Sequence, residues 1–211
     1  MTEPVNRDRA ETGRVEAFSD GVFAIAITLL VLELHGPVLK VTDRDAHVGL
    51  WSGLLDEWPQ FAAYLTSFAI IGIMWVNHHS MFSAIVRIDR PLLFLNLLLL
   101  LWTSLLPFPT SLVAEYLKDG DTNAAAAEAI YAANLTLAAI AFSLIWMRAV
   151  RGGRLTAVRL EPRAEWAAVG RFSVGTFVYA ATIGIAFVSA IAALVVQFLL
   201  ASYYAFEQVT S

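Results

Sequence analysis

The chain has 211 residues, of which 58% are hydrophobic and only 15% are charged, with a formal net charge of −4. This composition lies outside the range of soluble globular domains, so the sequence predicts an integral membrane protein. Cysteine does not occur, which excludes disulfides, thioether-linked haem and thiolate metal sites.

The N-terminal segment, residues 1–17, is polar and mixes basic with acidic side chains. The first apolar run after it has no small-residue cleavage site, so we expect it to be retained and not removed as a signal peptide. A helix needs about 20 mainly apolar residues to cross a bilayer. Residues 18–35 nearly supply this length and form the first predicted span.

Five further spans are predicted along the chain. Residues 36–56 form a loop with Gly, Pro and charged side chains, and residues 207–211 form a C-terminal tail. Pro107 and Pro109 predict a kink or a broken last turn near the end of the third span. The fold class is therefore an all-α membrane domain over residues 18–206, with predicted spans at 18–35, 58–85, 91–113, 124–147, 167–187 and 190–206.

The boundary between the last two spans depends on length. Residues 166–206 contain Arg171 as their only interior charge, and the run is too long for one crossing. We place a turn at residues 188–190. A single strongly tilted helix and a re-entrant segment are the alternatives.

The distribution of Lys and Arg predicts the orientation, because basic residues are enriched in cytoplasmic loops. With six spans and the N-terminus inside, Lys40, Arg44 and Lys118 lie outside and the other eleven basic residues lie inside. Both termini are then cytoplasmic, in a multi-pass plasma-membrane protein. The basic segment 148–171 is expected to contact anionic lipid and not nucleic acid. The inner basic residues are Arg7, Arg9, Arg14, Arg87, Arg90, Arg148, Arg151, Arg154, Arg159, Arg163 and Arg171.

The first span has two different faces when its residues are placed 100° apart around a helix. Ile25, Thr28, Leu29 and Leu32 share one face, which carries one hydroxyl among branched aliphatic side chains and suits a narrow passage. Asp20 and Val31 lie on the opposite face, which is expected to pack against neighbouring helices. The alternative is that both faces are ordinary packing surfaces, with the Thr28 hydroxyl bonded to its own backbone.

A polar cluster in the second span could reach the first span. Asn77, His78 and His79 lie toward the predicted cytoplasmic side, as Asp20 does, so a network including Arg14 and the indole N–H of Trp75 is plausible. Adjacent histidines point about 100° apart on a helix and lack the i, i+4 spacing of a metal-binding pair. We therefore expect no metal and, without a nucleophile and base at mid-membrane, no enzyme.

Three function classes fit a membrane protein of this kind: a cation channel, a secondary transporter, and a structural or lipid-interacting protein. The chain shows no internal repeat of the Phe18 motif, whereas transporters often contain repeats. It also has no TVGYG-like filter loop. A chain of this size would line a pore most naturally by assembling around a rotation axis.

Two motifs carry a resemblance to a known family. The first runs from Arg14 through Phe18, Ser19 and Asp20 along the helix to Leu32, and the second is Trp75-Val-Asn-His-His. Together they resemble the RxxxFSD signature and the second-span motif of the transmembrane protein 175 potassium channel family, in its bacterial branch. The resemblance covers roughly residues 14–90 and is architectural beyond them.

The resemblance implies a homotetrameric channel for K⁺ with modest selectivity, lined by the first helices and without a filter loop. Ile25, Leu29 and Leu32 match the hydrophobic constriction of that family, and Thr28 matches a threonine implicated in potassium preference. K⁺ is then the permeant ion and no cofactor is expected, while a secondary transporter or a proton-conducting protein is the alternative. The residues that match the network bracing the pore helix are Arg14, Ser19, Asp20, Trp75, Asn77 and His78.

Overall fold

The computed structural model describes residues 3–37, 50–151, 155–157 and 162–210, with the side chains of residues 3–10, 162–173 and 206–210 left aside. This part of the chain is helical, and its one strand-like contact is an isolated bridge between Ile85 and Thr156. Lys40, Arg44, Arg154 and Arg159 of the predicted charge distribution lie outside the described residues. The helices are α1 (Glu3–Leu29), α2 (Leu50–Asp56), α3 (Trp58–Ala84), α4 (Arg90–Leu105), α5 (Pro107–Tyr116), α6 (Thr122–Val150), α7 (Pro162–Ala186) and α8 (Ala190–Thr210).

Helix α1 is longer than the first predicted span, because it begins at Glu3 within the polar segment. It tightens into a 3₁₀ turn over Leu30–Glu33 and stops at Leu34, whose backbone is extended. Phe23, Ala26 and Leu30 are buried at its contacts with α3 and α4. These residues follow the i, i+3, i+4 spacing of an apolar helix face.

The third predicted span is broken into α4 and α5 at Leu106. Pro107 lacks an N–H, so the Thr103 carbonyl loses its usual helical donor. The Leu106 N–H instead donates to Thr103 O at 3.2 Å. The Leu106 carbonyl accepts from both the N–H and the hydroxyl of Thr110, at 3.1 and 2.8 Å. The proline pair therefore divides the span into two packed helices.

Small residues allow α6 to pack closely against its neighbours. Helix α6 follows Gly120, which has a φ of 64°, and Asp121, whose carboxylate accepts from the Asn123 and Ala124 N–H groups. Its buried positions include many alanines, and α6 contacts α4, α5, α7 and α8. Small side chains let helix backbones approach each other in a membrane. Helix α6 therefore lies at the centre of the bundle.

The apolar stretch near the C-terminus forms two helices, α7 and α8, separated by residues 187–189. Ser189 marks the start of α8, since its hydroxyl accepts from the Ala192 N–H at 3.2 Å. Helix α8 continues through Thr210 and so extends into the predicted tail at 207–211. Helix α2 likewise occupies the end of the predicted 36–56 loop, of which residues 38–49 lie outside the described part.

Four described helical segments are long and apolar enough to cross a bilayer: Glu11–Glu33, Trp58–Ala84, Arg90–Asp119 and Thr122–Val150. Two shorter apolar helices, Val174–Ala186 and Ala190–Ala205, follow them. The ends of α3 and α6 meet at one end of the bundle, where the Val86 N–H donates to Leu155 O at 2.8 Å. The protein is thus an all-helical, multi-pass membrane protein.

Candidate pore helix and its supporting network

One face of α1 has no partner within the described chain. Only 22% of the most apolar window of its span is buried, against 39% to 44% in the other three long spans. Leu32 is 66% exposed, Ile25 is 61% exposed and Leu29 is 40% exposed. A contiguous apolar face of this kind, formed beside a well-packed core, is available either to lipid or to other subunits.

Thr28 lies on the same exposed face and bonds back to its own helix. Its hydroxyl is 2.9 Å from both Ala24 O and Ile25 O, and donates its proton to this pair of carbonyls. Because a hydroxyl has one proton and two lone pairs, the oxygen keeps acceptor capacity. Thr28 can therefore offer an oxygen to a cation while its own proton remains bonded to the backbone.

The 3₁₀ turn at the end of α1 changes the predicted faces. Even 100° spacing places Val31 on the face opposite Leu32, toward the neighbouring helices. In the structure both side chains are exposed, and Leu30 between them is fully buried. A 3₁₀ turn has about three residues per turn, so side chains beyond Leu29 rotate away from the α-helical register. The predicted position of Val31 is therefore wrong.

A buried hydrogen-bonded chain connects α1, α4 and α3. The Ser19 hydroxyl donates to Val15 O at 2.9 Å, and Asn96 Nδ2 donates to Ser19 Oγ at 3.0 Å. Asn96 Oδ1 then faces His78 Nε2 at 3.0 Å. Since the Asn96 amide nitrogen is directed at Ser19, its oxygen must accept, and His78 donates through Nε2–H. The three side chains are all buried.

Aromatic rings pack against the His78 imidazole. Its imidazole stacks on Phe82 with ring centroids 4.2 Å apart and lies 5.4 Å from the Phe23 ring. His78 Nδ1 is buried and has no hydrogen-bond partner in the described residues. The ring is thereby held in one orientation between α1 and α3.

A second set of contacts between α1 and α3 is exposed. Trp75 Nε1 donates to Asp20 Oδ1 at 2.9 Å, and His79 Nδ1 lies 2.8 Å from Glu16 Oε1. Trp75 also stacks on His79, with ring centroids 6.2 Å apart. These pairs hold α3 against the side of α1 that does not carry Thr28.

Four of the six predicted network residues take part in the hydrogen bonds described above, and they fall into two separate groups. Ser19 and His78 meet through Asn96, whereas Asp20 pairs with Trp75. Arg14 is exposed and lines a cavity of about 650 Å³ between α1 and α4, which Asn96 also lines. Asn77 is half-buried on α3.

Asn96 is the central residue that the predicted network lacks. It is an isolated asparagine in a leucine-rich segment, and a lone amide among apolar residues of a membrane helix is a signal for a polar contact. Its partner could not be identified from the sequence, because Ser19 is 77 positions away. Glu16 was likewise left out, since it precedes the predicted span.

Comparison with known proteins identifies the family. Residues 14–107 match the family model described as the endosomal/lysosomal potassium channel TMEM175. A potassium channel of Streptomyces collinus is 48% identical over 94% of both chains. This chain belongs to the TMEM175 family. The family is one of ion channels, so its members are not classed as enzymes.

Two further relatives extend the comparison. The crystal structure of a lysosomal potassium-selective channel TMEM175 homolog from Chamaesiphon minutus is similar with a TM-score of 0.81 and 41% identity, covering 94% of this chain and 98% of that one. The human endosomal/lysosomal proton channel TMEM175 is 37% identical over 110 residues, which are 51% of this chain and 21% of the human protein. The TMEM175 fold therefore extends over nearly the whole described chain.

Proposed function

We propose that the protein is a potassium-conducting channel whose pore is lined by α1 helices from four copies of the chain. The observation that carries this proposal is the unpartnered face of α1, on which Ile25, Leu29 and Leu32 surround the oxygen of Thr28. Four such faces around a rotation axis would cover one another's apolar surface and enclose a narrow path. The names of the bacterial relatives, which are potassium channels, support the choice of ion.

Ile25, Leu29 and Leu32 are the proposed constriction. Apolar rings gate ion flow because a dewetted segment does not solvate a bare cation. Thr28 lies between Ile25 and Leu29 along the helix, and four of its oxygens would replace part of the hydration shell of K⁺. A few hydroxyl ligands provide less discrimination than a carbonyl-lined filter, so selectivity over Na⁺ is modest.

The remaining features of the proposal concern the membrane. The four long spans, together with α7 and α8, make six crossings. Both termini lie in the cytoplasm, and the membrane is the plasma membrane. Ser19, Asp20, Trp75 and His78 hold α1 against its neighbours, and Arg14 and Asn77 complete the predicted network at its inner end. The passage needs no cofactor, and lipid surrounds the outer helices.

The decisive experiment is the current of the purified protein in planar bilayers under opposed K⁺ and Na⁺ gradients. We expect a reversal potential displaced toward the K⁺ equilibrium potential. Leu29→Ala should raise the current several-fold, because the apolar ring becomes wider and easier to hydrate. Leu199→Ala on α8 makes the same change at another exposed leucine and should leave the current unchanged.

Equal currents in the wild type and Leu29→Ala, with a measurable K⁺ reversal potential, would remove α1 from the pore. Proton conduction is the second candidate, because the human relative is named a proton channel. Under a pH gradient with equal K⁺ on both sides, a reversal potential at zero excludes it as the main current. A reversal potential that follows the proton gradient supports it instead.

A further inference from the structure

Glu128 is a buried acidic residue inside the bundle that the pore proposal does not use. It lies in the second turn of α6, within the span Thr122–Val150, and its side chain is 0% exposed. Neither of its carboxyl oxygens has a hydrogen-bond partner among the described residues. An unpaired carboxylate in such a place is very costly, so the site requires something electropositive.

The neighbouring polar side chains lie on α7 and α8. The Thr182 hydroxyl donates to Tyr179 O at 2.7 Å, so its single proton is already used. Thr182 Oγ1 therefore accepts from Gln197 Nε2, 3.1 Å away. This contact directs the Gln197 amide nitrogen toward Thr182 and leaves its oxygen to be satisfied elsewhere.

Gln197 and Glu128 are neighbours that leave three acceptor oxygens without a donor. The Gln197 amide lies beside the Glu128 carboxyl, but no hydrogen bond of standard geometry reaches either Glu128 oxygen. Gln197 Oε1 and both Glu128 oxygens are buried and have no partner in the described chain. A donor placed between the two side chains would satisfy both at once.

A proton fits this arrangement better than a metal cation. An alkali ion replaces its hydration shell with a ring of oxygens, as in carbonyl-lined sites. Here the side chains supply too few oxygens, and no cluster of three acidic or histidine ligands occurs in the described residues. A proton on Glu128 needs only one acceptor, and the unpartnered Gln197 Oε1 is available for that role.

A surface cavity lies above Glu128. A cavity of about 440 Å³ opens between the start of α6 and the turn joining α7 to α8, and its walls include Asp121, Ala124, Ala125 and Ala186. Glu128 lies four residues beyond Ala124 on the same helix face, about 6 Å deeper. Thr182 is related in the same way to Ala186 on α7.

Other ionisable groups near Glu128 are few. Tyr131 on α6 and Tyr179 on α7 lie in its surroundings, and Tyr204 on α8 is close to Tyr179. The exposed charges at the same end, Glu115 on α5 and Lys118 and Asp119 in the following 3₁₀ turn, lie at the surface of the bundle. No described Lys, Arg or His side chain pairs with Glu128.

We propose that Glu128 and Gln197 form a proton-binding site between α6, α7 and α8, loaded through the surface cavity above it. Glu128 lies outside residues 14–107, which match the family model, and on a helix other than α1. The proton supplies the donor that this packed interface lacks. The site is separate from the proposed pore, and its existence does not depend on ion conduction.

Infrared spectroscopy of the protein in micelles of a detergent without ester groups tests the site directly. A protonated carboxyl has a carbonyl stretching band at a higher frequency than the bands of a carboxylate or an amide. We expect such a band at neutral pH in the wild type and its loss in Glu128→Gln, which keeps the shape and hydrogen-bonding capacity of the neutral acid. Glu115→Gln makes the same change at an exposed carboxylate and should leave the band unchanged.

Two outcomes would overturn the proton site. Absence of the band from the wild type would mean that Glu128 is ionised, and loss of the band on adding K⁺ or Na⁺ would mean that a cation occupies the site. Gln197→Leu provides a second readout, since removing the acceptor should shift the frequency of the Glu128 band. An unshifted band in that variant would contradict the pairing.

The route is tested by the rate at which D₂O shifts the band. Ala125→Phe fills the cavity and should slow this exchange several-fold. Ala126→Phe is the matched control, because Ala126 is the exposed next residue on α6 and is not among the cavity-lining residues. Equal exchange rates in the two variants would exclude loading through this cavity.

Discussion

Thr28 presents a hydroxyl oxygen on the exposed face of α1, and its own proton is bonded to the backbone. Thr28→Ala should leave folding nearly intact, because the lost bonds are local and exposed. We expect it to lower the preference for K⁺ over Na⁺ about two- to fivefold, which corresponds to an interaction of roughly 0.5–1 kcal/mol. The measurement is the reversal potential under bi-ionic conditions.

Thr28→Ser separates the hydroxyl from the methyl group. Serine keeps the oxygen and the same backbone acceptors, so it should retain the preference for K⁺. If Ser and Ala shift the reversal potential equally, the oxygen is not a ligand and Thr28 acts through its shape.

Asn96 is expected to matter for stability more than any exposed pair on α1. Asn96→Leu leaves the His78 Nε2–H and the Ser19 oxygen without their partner in a buried site. We expect the free energy of unfolding to fall by about 1–3 kcal/mol, the cost of an unsatisfied buried polar group. Equilibrium unfolding in detergent micelles measures the change.

His79→Ala provides the comparison for Asn96. It removes the contact with Glu16, in which the His79 side chain is 61% exposed and Glu16 is 24% exposed. Such exposed pairs contribute about 0–1 kcal/mol. If His79→Ala lowers the free energy of unfolding as much as Asn96→Leu does, burial does not decide how much a polar contact contributes to stability.

Helical spacing alone was enough to group Ile25, Thr28 and Leu29 on one face, because residues up to Leu29 keep a regular α-helical register. The spacing failed at Val31, where the backbone tightens. The partners of Ser19 and His78 were not predictable, since a polar group identifies the need for a partner and not its position in the chain. Glu128 was missed because an alanine-rich segment indicates close helix packing and gives no sign of a polar site.

At the level of elements, Pro107 allowed the break between α4 and α5 to be predicted, because a proline inside a long helical run removes an N–H that the preceding turn needs. The turn between α7 and α8 was placed from length alone, since residues 187–189 contain neither Gly nor Pro. The helix α2 and the end of α8 were not predicted. Helix α2 and the last residues of α8 lie at the ends of predicted segments, where helix boundaries are the hardest to predict from sequence.

Asp89 connects two helices through the two oxygens of one carboxylate. Oδ1 accepts from the Leu92 N–H at 3.0 Å and caps α4, while Oδ2 pairs with Arg148 at the end of α6. Asp89→Asn keeps a capping side chain and should cost less than about 1 kcal/mol, because the ion pair is partly exposed. Asp89→Ala removes the cap as well and should cost about 1 kcal/mol more.

Unfolding at low and high salt separates these two contributions. Salt screens the ion pair and not the cap. The difference in the free energy of unfolding between the wild type and Asp89→Asn should therefore become smaller at high salt. The difference in the free energy of unfolding between Asp89→Asn and Asp89→Ala should not change with salt. A difference between Asn and Ala that disappears with salt would contradict the capping role.

At the scale of the whole molecule, the helices differ in how completely one chain can bury them. Helix α6 contacts helices on several sides, whereas α1 packs against α3 and α4 and leaves the face with Ile25 and Leu32 uncovered. In lipid this apolar face has no strong drive to be buried. The proposed assembly around a shared axis would cover it and place the Thr28 hydroxyl in the pore.

Cysteine cross-linking tests that assembly, because the chain contains no cysteine of its own. Leu32→Cys places a thiol on the exposed face of α1, and in the proposed tetramer the four thiols surround the axis. Oxidation in native membranes should give disulfide-linked dimers on a non-reducing gel, since each bond joins two subunits within about 7 Å between Cα atoms. Leu199→Cys on α8 has similar exposure. In the proposed tetramer α8 lies away from the axis, so this variant should remain largely monomeric. Cross-linking of Leu199→Cys in preference to Leu32→Cys would place α8 at the axis and α1 at the lipid.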